Sequence, residues 1–517
     1  MKNLFNSVKL QKPQKNFFDL THDVKLTCNF GELVPILALD CVPGDKFRLS
    51  CESLIRFAPL IAPVMHRFNV TMHYFFVPNR LVWENWEEWI TSGNDVSRPV
   101  HPYINFDGTQ VANQTPGSLA DYLGVTPNWL TTETGTEKVS AIPFAAYQCI
   151  YNEYYRDQNL IAPLVQQQQM YLTDGDNSGS TMLLPLRNRA WEHDYFTSAL
   201  PFAQKGTAVD LPLGGFQDVP VRLDTGAGLV SGFLTGNTPA QNVPISATVY
   251  DPVNPGPAQG DIFAQTSLLN VGSTTINDLR RAYALQRWLE RNALGGTRYT
   301  EFNRAHYGVT GSDARLNRPE YITGTKSPVV VSEVLNTTGT DDLPQGNMSG
   351  HAVSVTSGQY GSYFCEEHGY IIGIMSVLPR TAYTSGTPKH FLKYEDPTQI
   401  YFPAFAHIGE QEVESREIYG YQTAAVNPFG YVPRYAEYKY MNSRVCGDFL
   451  TTLAHWHDAR RFSNAPLLNQ QFIEATPATN DLNRIFAVLA DDTDHLYCHV
   501  LNKIGATRPM PKYGTPI

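Results

Sequence analysis

Acidic and metal-ligating side chains crowd together late in this 517-residue sequence, at Asp491, Asp492, Asp494, His495, Cys498 and His499. Three or four such donors, if they converged, would hold a divalent transition metal. Residues 495–501 alternate like a strand, however, so the adjacent Cys498 and His499 point to opposite faces. The expected arrangement is a hairpin of residues 484–490 and 495–501, with exposed acids at its tip. His455 and His457 would share one face of a strand beside Asp458. With no third ligand identifiable, they read as structural histidines with satisfied ring nitrogens.

Other fragments imitate working motifs and fail on spacing. Asp174-Gly-Asp-Asn-Ser-Gly179 begins like a calcium loop, but the twelfth position is Pro185 where the loop needs a bidentate glutamate. Gly324-Thr-Lys326-Ser327 lacks the Gly-Lys-Ser core and the glycine-rich lead-in of a phosphate loop. Neither GxSxG nor HExxH occurs. The expectation is a protein with no catalytic residues, no metal site and no cofactor.

Cationic chemistry is better represented. Between Arg280 and Arg318 eight arginines face only Glu290, Glu301 and Asp313. Interleaved Tyr283, Trp288, Tyr299 and Tyr307 would let such a stretch meet phosphates and stack bases. The same residues would equally serve an arginine-rich contact with an acidic neighbouring subunit. The first 18 residues add Lys2, Lys9, Lys12 and Lys15 without one acid until Asp19, as in an extended basic arm over residues 1–23 or an ordinary frayed terminus.

The elements that position these residues read as mainly β. In Phe68-Asn-Val-Thr-Met-His-Tyr-Phe-Phe76, the residues Phe68, Val70, Met72, Tyr74 and Phe76 fall on one face. Residues 370–378 form a continuous apolar run, as in a strand buried on both sides. Short helices are expected after Asn79, with Val82, Trp86 and Trp89 at helical spacing, and over 143–160, where Tyr147, Ile150, Tyr151 and Tyr154 recur. The strongest helix runs over 275–294, with Asn277 able to cap it and Gly295-Gly296 to end it. On it Arg280, Arg287 and Arg291 lie within roughly 40° of one another, opposite Leu279, Ala282 and Tyr283.

Residues 207–274 differ from everything around them. They hold one basic residue, Arg222, and no lysine, and they are rich in Gly, Pro, Thr and Asn. Loops beyond about 15 residues are uncommon without a role, so this segment, from Thr207 through Tyr250 to Thr274, is expected to be an inserted β-rich subdomain or an exposed excursion. The division is then 1–23, 24–206, 207–274 and 275–517.

Bulk properties narrow the function class. Charged residues are only 17% against an aromatic content of 12%, a balance that suits a surface given over to partner contacts. A net charge of −10 excludes coating nucleic acid by overall charge. Seven scattered cysteines with no CxxC pair suit free, buried thiols in a reducing compartment. No apolar run approaches the roughly 18 residues of a membrane span, and no secretory signal is expected.

The run Thr275-Ile-Asn-Asp-Leu-Arg-Arg-Ala-Tyr-Ala-Leu-Gln-Arg-Trp-Leu-Glu-Arg-Asn-Ala-Leu-Gly-Gly-Thr-Arg-Tyr-Thr-Glu301 resembles the signature of microvirus major capsid proteins, above all the gokushovirus branch. The likeness continues through His306-Tyr-Gly-Val309, Asp313 to Tyr321, Ile150 to Asn159, His193 to Pro201 with Gln204-Lys-Gly206, and Arg508-Pro-Met-Pro-Lys-Tyr-Gly514. The resemblance implies a viral jelly-roll β-sandwich with large helical and loop insertions. It implies pentamers closing into a small T=1 icosahedral shell in the bacterial cytoplasm, around circular single-stranded DNA. It also implies a separate small basic DNA-binding protein, scaffolding proteins, and a threefold protrusion at 207–274 that meets a receptor on the bacterial host. On that reading the lysine arm and the Arg280, Arg287, Arg291 stripe are candidates for DNA contact. A lectin-like module would instead carry a signal peptide and paired cysteines, and a carbohydrate-active enzyme two carboxylates across a cleft.

Overall fold

The computed structural model describes residues 14–92, 98–106, 113–127, 138–165, 170–207, 209, 275–296, 298–339, 345–358, 360–421, 428–488 and 493–513, with the backbone of three further strands between 221 and 264. Five strands open the described chain: β1 (Asn16–Asp19), β2 (His22–Cys28), β3 (Val34–Cys41), β4 (Lys46–Phe57) and β5 (Phe68–Pro78). A ribbon of β6 (Tyr103–Asn105) and β7 (Lys138–Ser140) follows, then β8 (Val221–Asp224), β9 (Leu229–Val230) and β10 (Ile262–Ala264). The later strands are β11 (Glu320–Pro328), β12 (Val330–Leu335), β13 (Met348–Ser357), β14 (Gly361–Phe364), β15 (Gly369–Pro379), β16 (Glu410–Glu414), β17 (Pro428–Pro433) and β18 (Leu496–Arg508).

Two antiparallel sheets form the jelly-roll sandwich. One runs β1-β18-β4-β13-β12, with β2 also on β18 and β14 also on β4; the other runs β11-β5-β15-β3. Strand β18 is the hinge of this topology, lying along β4 from Leu496↔Phe57 to Thr507↔Lys46 and carrying β2 and β1 on its far side. Two of the strands thus begin inside the 1–23 segment read as an arm, at Asn16 and His22. The hairpin expected at 484–501 does not form. Residues 482–485 make a 3-10 turn, Phe486 bridges to Leu60, and β18 pairs with strands from the other end of the chain.

Alternation dictates what lies between the sheets. Along β5, Phe68, Val70, Met72, Tyr74 and Phe76 all enter the core shared with Phe47, Leu49, Ile55 and Phe57 of β4. Phe30 stacks on Phe68 at 5.4 Å and on Phe486 at 5.7 Å, closing one end. Each such buried ring contributes about 1.5–3 kcal/mol. One polar bridge crosses the core: Tyr74 Oη donates to Asn502 Oδ1 at 2.9 Å, and Asn502 Nδ2 donates to the Ile36 carbonyl at 2.8 Å. Gly31 (φ +83°) sits where a Cβ would meet the Ala475 carbonyl oxygen at 1.8 Å, so only glycine lets these segments close.

The outer face of the second sheet is also covered, so β5 and β15 are buried on both sides. Phe75, Val77, Ile372 and Ile374 pack with the helical insertion, which includes α1 (Trp86–Thr91), α2 (Leu119–Tyr122) and α3 (Ile142–Ile150). Helix α3 accepts Pro143 in its first turn, where a missing N–H costs nothing. It runs into a π-helical turn over 151–155 and stops there, short of the expected 160, because Arg156 turns extended and bonds back to Asn152 Oδ1 at 2.9 Å. A third core gathers Tyr195, Phe196, Tyr383, Val413, Phe429 and Phe472 beside the β16-β17 ribbon.

The chain divides into two compact units, Met1–Ala203 with Ala293–Ile517, and Gln204–Asn292. The second starts near the expected 207 but runs past 274, taking in most of α4 (Ile276–Gly295) together with the β10-β8-β9 sheet. Helix α4 is capped by Thr275 and not by Asn277. Thr275 Oγ1 accepts from Asp278 N at 3.2 Å while Asp278 Oδ2 accepts from Thr275 N at 3.3 Å, the reciprocal arrangement of a capping box. Beyond it lies α5 (Tyr299–Tyr307).

Candidate assembly and nucleic-acid surfaces

The described groups that could have done chemistry are committed to structure; Asp491 and Asp492 lie outside the described residues. Cys498 faces inward on β18, 3.9 Å from Cys28 Sγ, whereas His499 faces outward and pairs with Asp23 at 3.2 Å. His495 lies against Phe486 with its Nε2 on the Val488 carbonyl at 3.0 Å. His455 and His457 are not on a strand; they fall in and after a 3-10 turn. His457 Nε2 donates to the Phe449 carbonyl at 2.8 Å and its Nδ1 accepts from Ala459 N at 3.1 Å, so both ring nitrogens are used. Asp174 accepts from Trp83 Nε1 at 2.7 Å and from Asn85, as a structural turn. Lys326 stands on β11, not in a loop, and pairs with Glu192. Among the described residues no three metal-ligating side chains converge. No described helix is long and apolar enough to cross a membrane.

The seven cysteines are unpaired, six of them buried as expected, but Cys446 is exposed.

The basic segment splits into two kinds of arginine. Arg298 is consumed locally, with Nη2 donating to the Asn152 and Arg156 carbonyls at 2.9 and 3.0 Å and ion pairs to Glu153 and Glu301. Arg318 lies over the Tyr154 ring at 4.4 Å and pairs with Asp313. Arg280, Arg287 and Arg291, by contrast, are exposed on α4, with no ion pair among the described residues. Leu279, Tyr283 and Trp288 of α4 are exposed too, while Leu289 is half-buried and Ala293 buried. At the other end of the chain, Lys15 donates to the Gly44 carbonyl at 2.8 Å and sits over the Phe364 ring, tied to the sheet. Lys2, Lys9 and Lys12 lie outside the described residues, as do Tyr250 and Thr274; Thr207 is exposed and Arg222 is a residue of β8.

A surface that periodicity did not announce surrounds the β16-β17 ribbon. Its buried charges are spent internally. Burial pushes the Glu417 carboxyl up, while Lys389 Nζ at 3.0 Å and Tyr195 Oη at 2.9 Å favour its charged form. Burial also opposes the charge of Glu437, yet Lys393 at 2.5 Å and Gln411 at 2.6 Å hold it below the usual range. Beside the exposed Glu412 and Lys439, this module turns a concentration of aromatic and apolar side chains to solvent. Tyr401 and Tyr438 flank the buried Tyr435 with ring centroids at 5.1 and 6.1 Å. Phe391, Tyr394, Ile408 and Met441 are exposed, the last by 82%. Isolated exposed apolar side chains need no explanation, but a concentration of this kind marks an interaction surface. The only advance signal was compositional, in the high aromatic and low charged fractions.

Comparison with known proteins bears on what covers such surfaces. A family profile described as "Capsid protein (F protein)" matches residues 6–517. The chain is similar to "Capsid protein VP1" of Chlamydia phage 1, at 34% identity over 100% of this chain and 98% of that protein. It is similar to the "Capsid protein VP1" of Bdellovibrio phage phiMH2K, at 32% identity over 96% of this chain and 94% of that one. A third relative of the same name, from Spiroplasma virus 4, is 29% identical over 96% and 94%.

Proposed function

The chain belongs to the capsid protein (F protein) family, in its microvirus branch, and is a structural protein of the virion; from that membership we propose that its copies form pentamers closing into a T=1 icosahedral shell around a circular single-stranded DNA genome. The observation that carries the proposal is the concentration of exposed aromatic and apolar side chains around the β16-β17 ribbon. Contact with further copies buries such a surface, and stable subunit contacts remove well over 1,000 Å² from water. Shell building takes place in the bacterial cytoplasm with scaffolding proteins of the same phage. The acidic net charge calls for a separate small basic protein to condense the genome, with the Lys2, Lys9, Lys12 and Lys15 arm and the Arg280, Arg287, Arg291 stripe adding contacts.

Expression with the neighbouring phage proteins, followed by negative-stain microscopy and measurement of nuclease-protected DNA, tests this. Uniform shells holding single-stranded DNA are expected, and less DNA when the four lysines become glutamine. A monomer under all conditions would refute the reading.

Residues 207–274 are proposed to rise at the threefold axes and engage the host surface. The separate compact unit Gln204–Asn292, which contains them, and their near-absence of positive charge support this. Replacing them with a short Gly/Ser linker is expected to leave shells intact while adsorption to host cells falls by at least a hundredfold. Unchanged adsorption would remove the receptor role.

A further inference from the structure

At one end of the four-stranded sheet, where β5 begins and β15 ends, a cavity of about 710 Å³ opens to solvent. Arg67 immediately precedes β5 and Arg380 immediately follows β15, and their main chains are joined by a 2.8 Å hydrogen bond from Arg380 N to the Arg67 carbonyl. Arg444 reaches the same cavity from the loop that runs beside Tyr383. All three are exposed, and among the described residues none of the three side chains has an ion pair or a hydrogen bond. Other arginines of the same compact unit are spent on the chain itself: Arg80 on Glu367, Arg508 on Asp45, and Arg484 on four backbone carbonyls.

No carboxylate is among the described residues that line this cavity, in a chain of net charge −10. Its two histidines add no charge at neutral pH: burial holds His66 at about 4, with Nε2 donating to the Arg380 carbonyl, and burial lowers His457. Three like charges facing one space repel, and an anion in that space relieves them. The rest of the lining says which anion. Phe449 and Trp456 stand with ring centroids 6.4 Å apart, tilted by 45°, beside the arginines. Guanidinium forks beside aromatic faces suit phosphates joined to flat bases.

We propose that this cavity seats a short run of single-stranded nucleic acid, with Arg67, Arg380 and Arg444 on its phosphates and Phe449 and Trp456 against its bases. The site deepens the reading that the shell encloses single-stranded DNA and rests on it. It also carries its own reporter, because Cys446 lines the cavity and is exposed while the other six cysteines are buried.

The test uses the full chain as soluble subunit and as particle. Fluorescence anisotropy with a labelled oligothymidylate of about 12 nucleotides measures affinity against salt. Changing Arg67→Gln, Arg380→Gln and Arg444→Gln together should weaken binding at least tenfold. The slope of log affinity against log salt should shrink by about 2, at ~0.7 per phosphate contact on a single strand. The triple variant should melt no lower than the parent, since it loses repulsion and no ion pair. Cys446 should react with maleimide in the free subunit and in empty shells, and be protected by the oligonucleotide and in DNA-filled shells. An unchanged affinity and slope in the triple variant would overturn the proposal. So would equal protection in empty and filled shells, which assigns the cavity to a neighbouring copy, or full protection by inorganic phosphate alone, which makes it a simple anion site. Failure of shells to form counts against the assembly reading, while the subunit titration still decides the cavity.

Discussion

Arg460→Ala will destabilise the subunit by about 2–5 kcal/mol, the range for truncating a large, fully buried side chain and leaving the hollow it filled. Arg460 is 2% exposed. Its guanidinium lies over Phe472 at 4.0 Å, Trp191 at 5.0 Å and Phe462 at 5.2 Å, and Nη2 donates to the Phe472 carbonyl at 2.7 Å. Nearby, the buried Asp194 accepts from Tyr383 Oη at 2.7 Å and from the backbone of Phe196 and Thr197 at 2.9 and 2.7 Å. The alanine variant therefore leaves a hollow among three rings and strips a buried carboxylate of its nearest positive field. Arg460→Lys keeps the charge but not the flat, weakly hydrated fork that the rings accept, so it should recover only part of the loss. Urea unfolding of the unassembled chain measures both, with Arg461→Ala as a surface control expected to stay within about 0.5 kcal/mol. A loss under 1 kcal/mol for Arg460→Ala would mean that the ring cage does not hold this charge in place.

The second large effect is on pH dependence. Complete burial pushes the Asp458 carboxyl up to about 8, only partly offset by Arg484 at 3.6 Å, and Asp481 nearby adds to the rise. The folded chain then keeps a proton that the unfolded chain releases near pH 4. With more protons bound when folded, stability falls as pH climbs from about 4 to about 8, by up to ~1.4 kcal/mol per unit. Asp458→Asn removes this dependence without freeing Arg484, which remains bonded to the carbonyls of Ala454, His457, Ala459 and Asp481. His66 and His73, both held near 4 by burial, act in the opposite sense, favouring the fold as pH rises out of the acid range. The difference between parent and variant isolates Asp458. The variant should gain on the parent steadily from pH 5 to 8, and parallel curves would refute the assignment.

How far the sequence alone reached follows from which interactions are local. Alternation along Phe68–Phe76 placed those five residues on one core face, because successive side chains of a strand point to opposite faces whatever its partner is, while the burial of the other face comes from the distant helical insertion. The capping Thr275 was misplaced by two residues, since several polar side chains at a helix start compete on similar terms. The 484–501 hairpin failed for a non-local reason: β18 finds its partners in β4, β2 and β1, hundreds of residues earlier, and no pattern within it encodes that choice. Arg67, Arg380 and Arg444 come from three separate loops, so no spacing rule could gather them, and the exposed aromatics around Tyr401 and Tyr438 follow no period. The Arg280–Arg318 cluster was visible as composition, but only geometry separates the locally spent Arg298 and Arg318 from the exposed arginines of α4.

The register that sets Asn16 opposite Arg508 has a consequence for timing. During synthesis β1, β2 and β4 emerge well before β18, and the edges they offer it stay open until Leu496–Arg508 has been translated. Contacts of such sequence separation form slowly, and unpaired strands invite aggregation meanwhile. A nascent chain therefore closes this sheet only once Leu496–Arg508 has been made, and until then lacks the surface of a finished subunit.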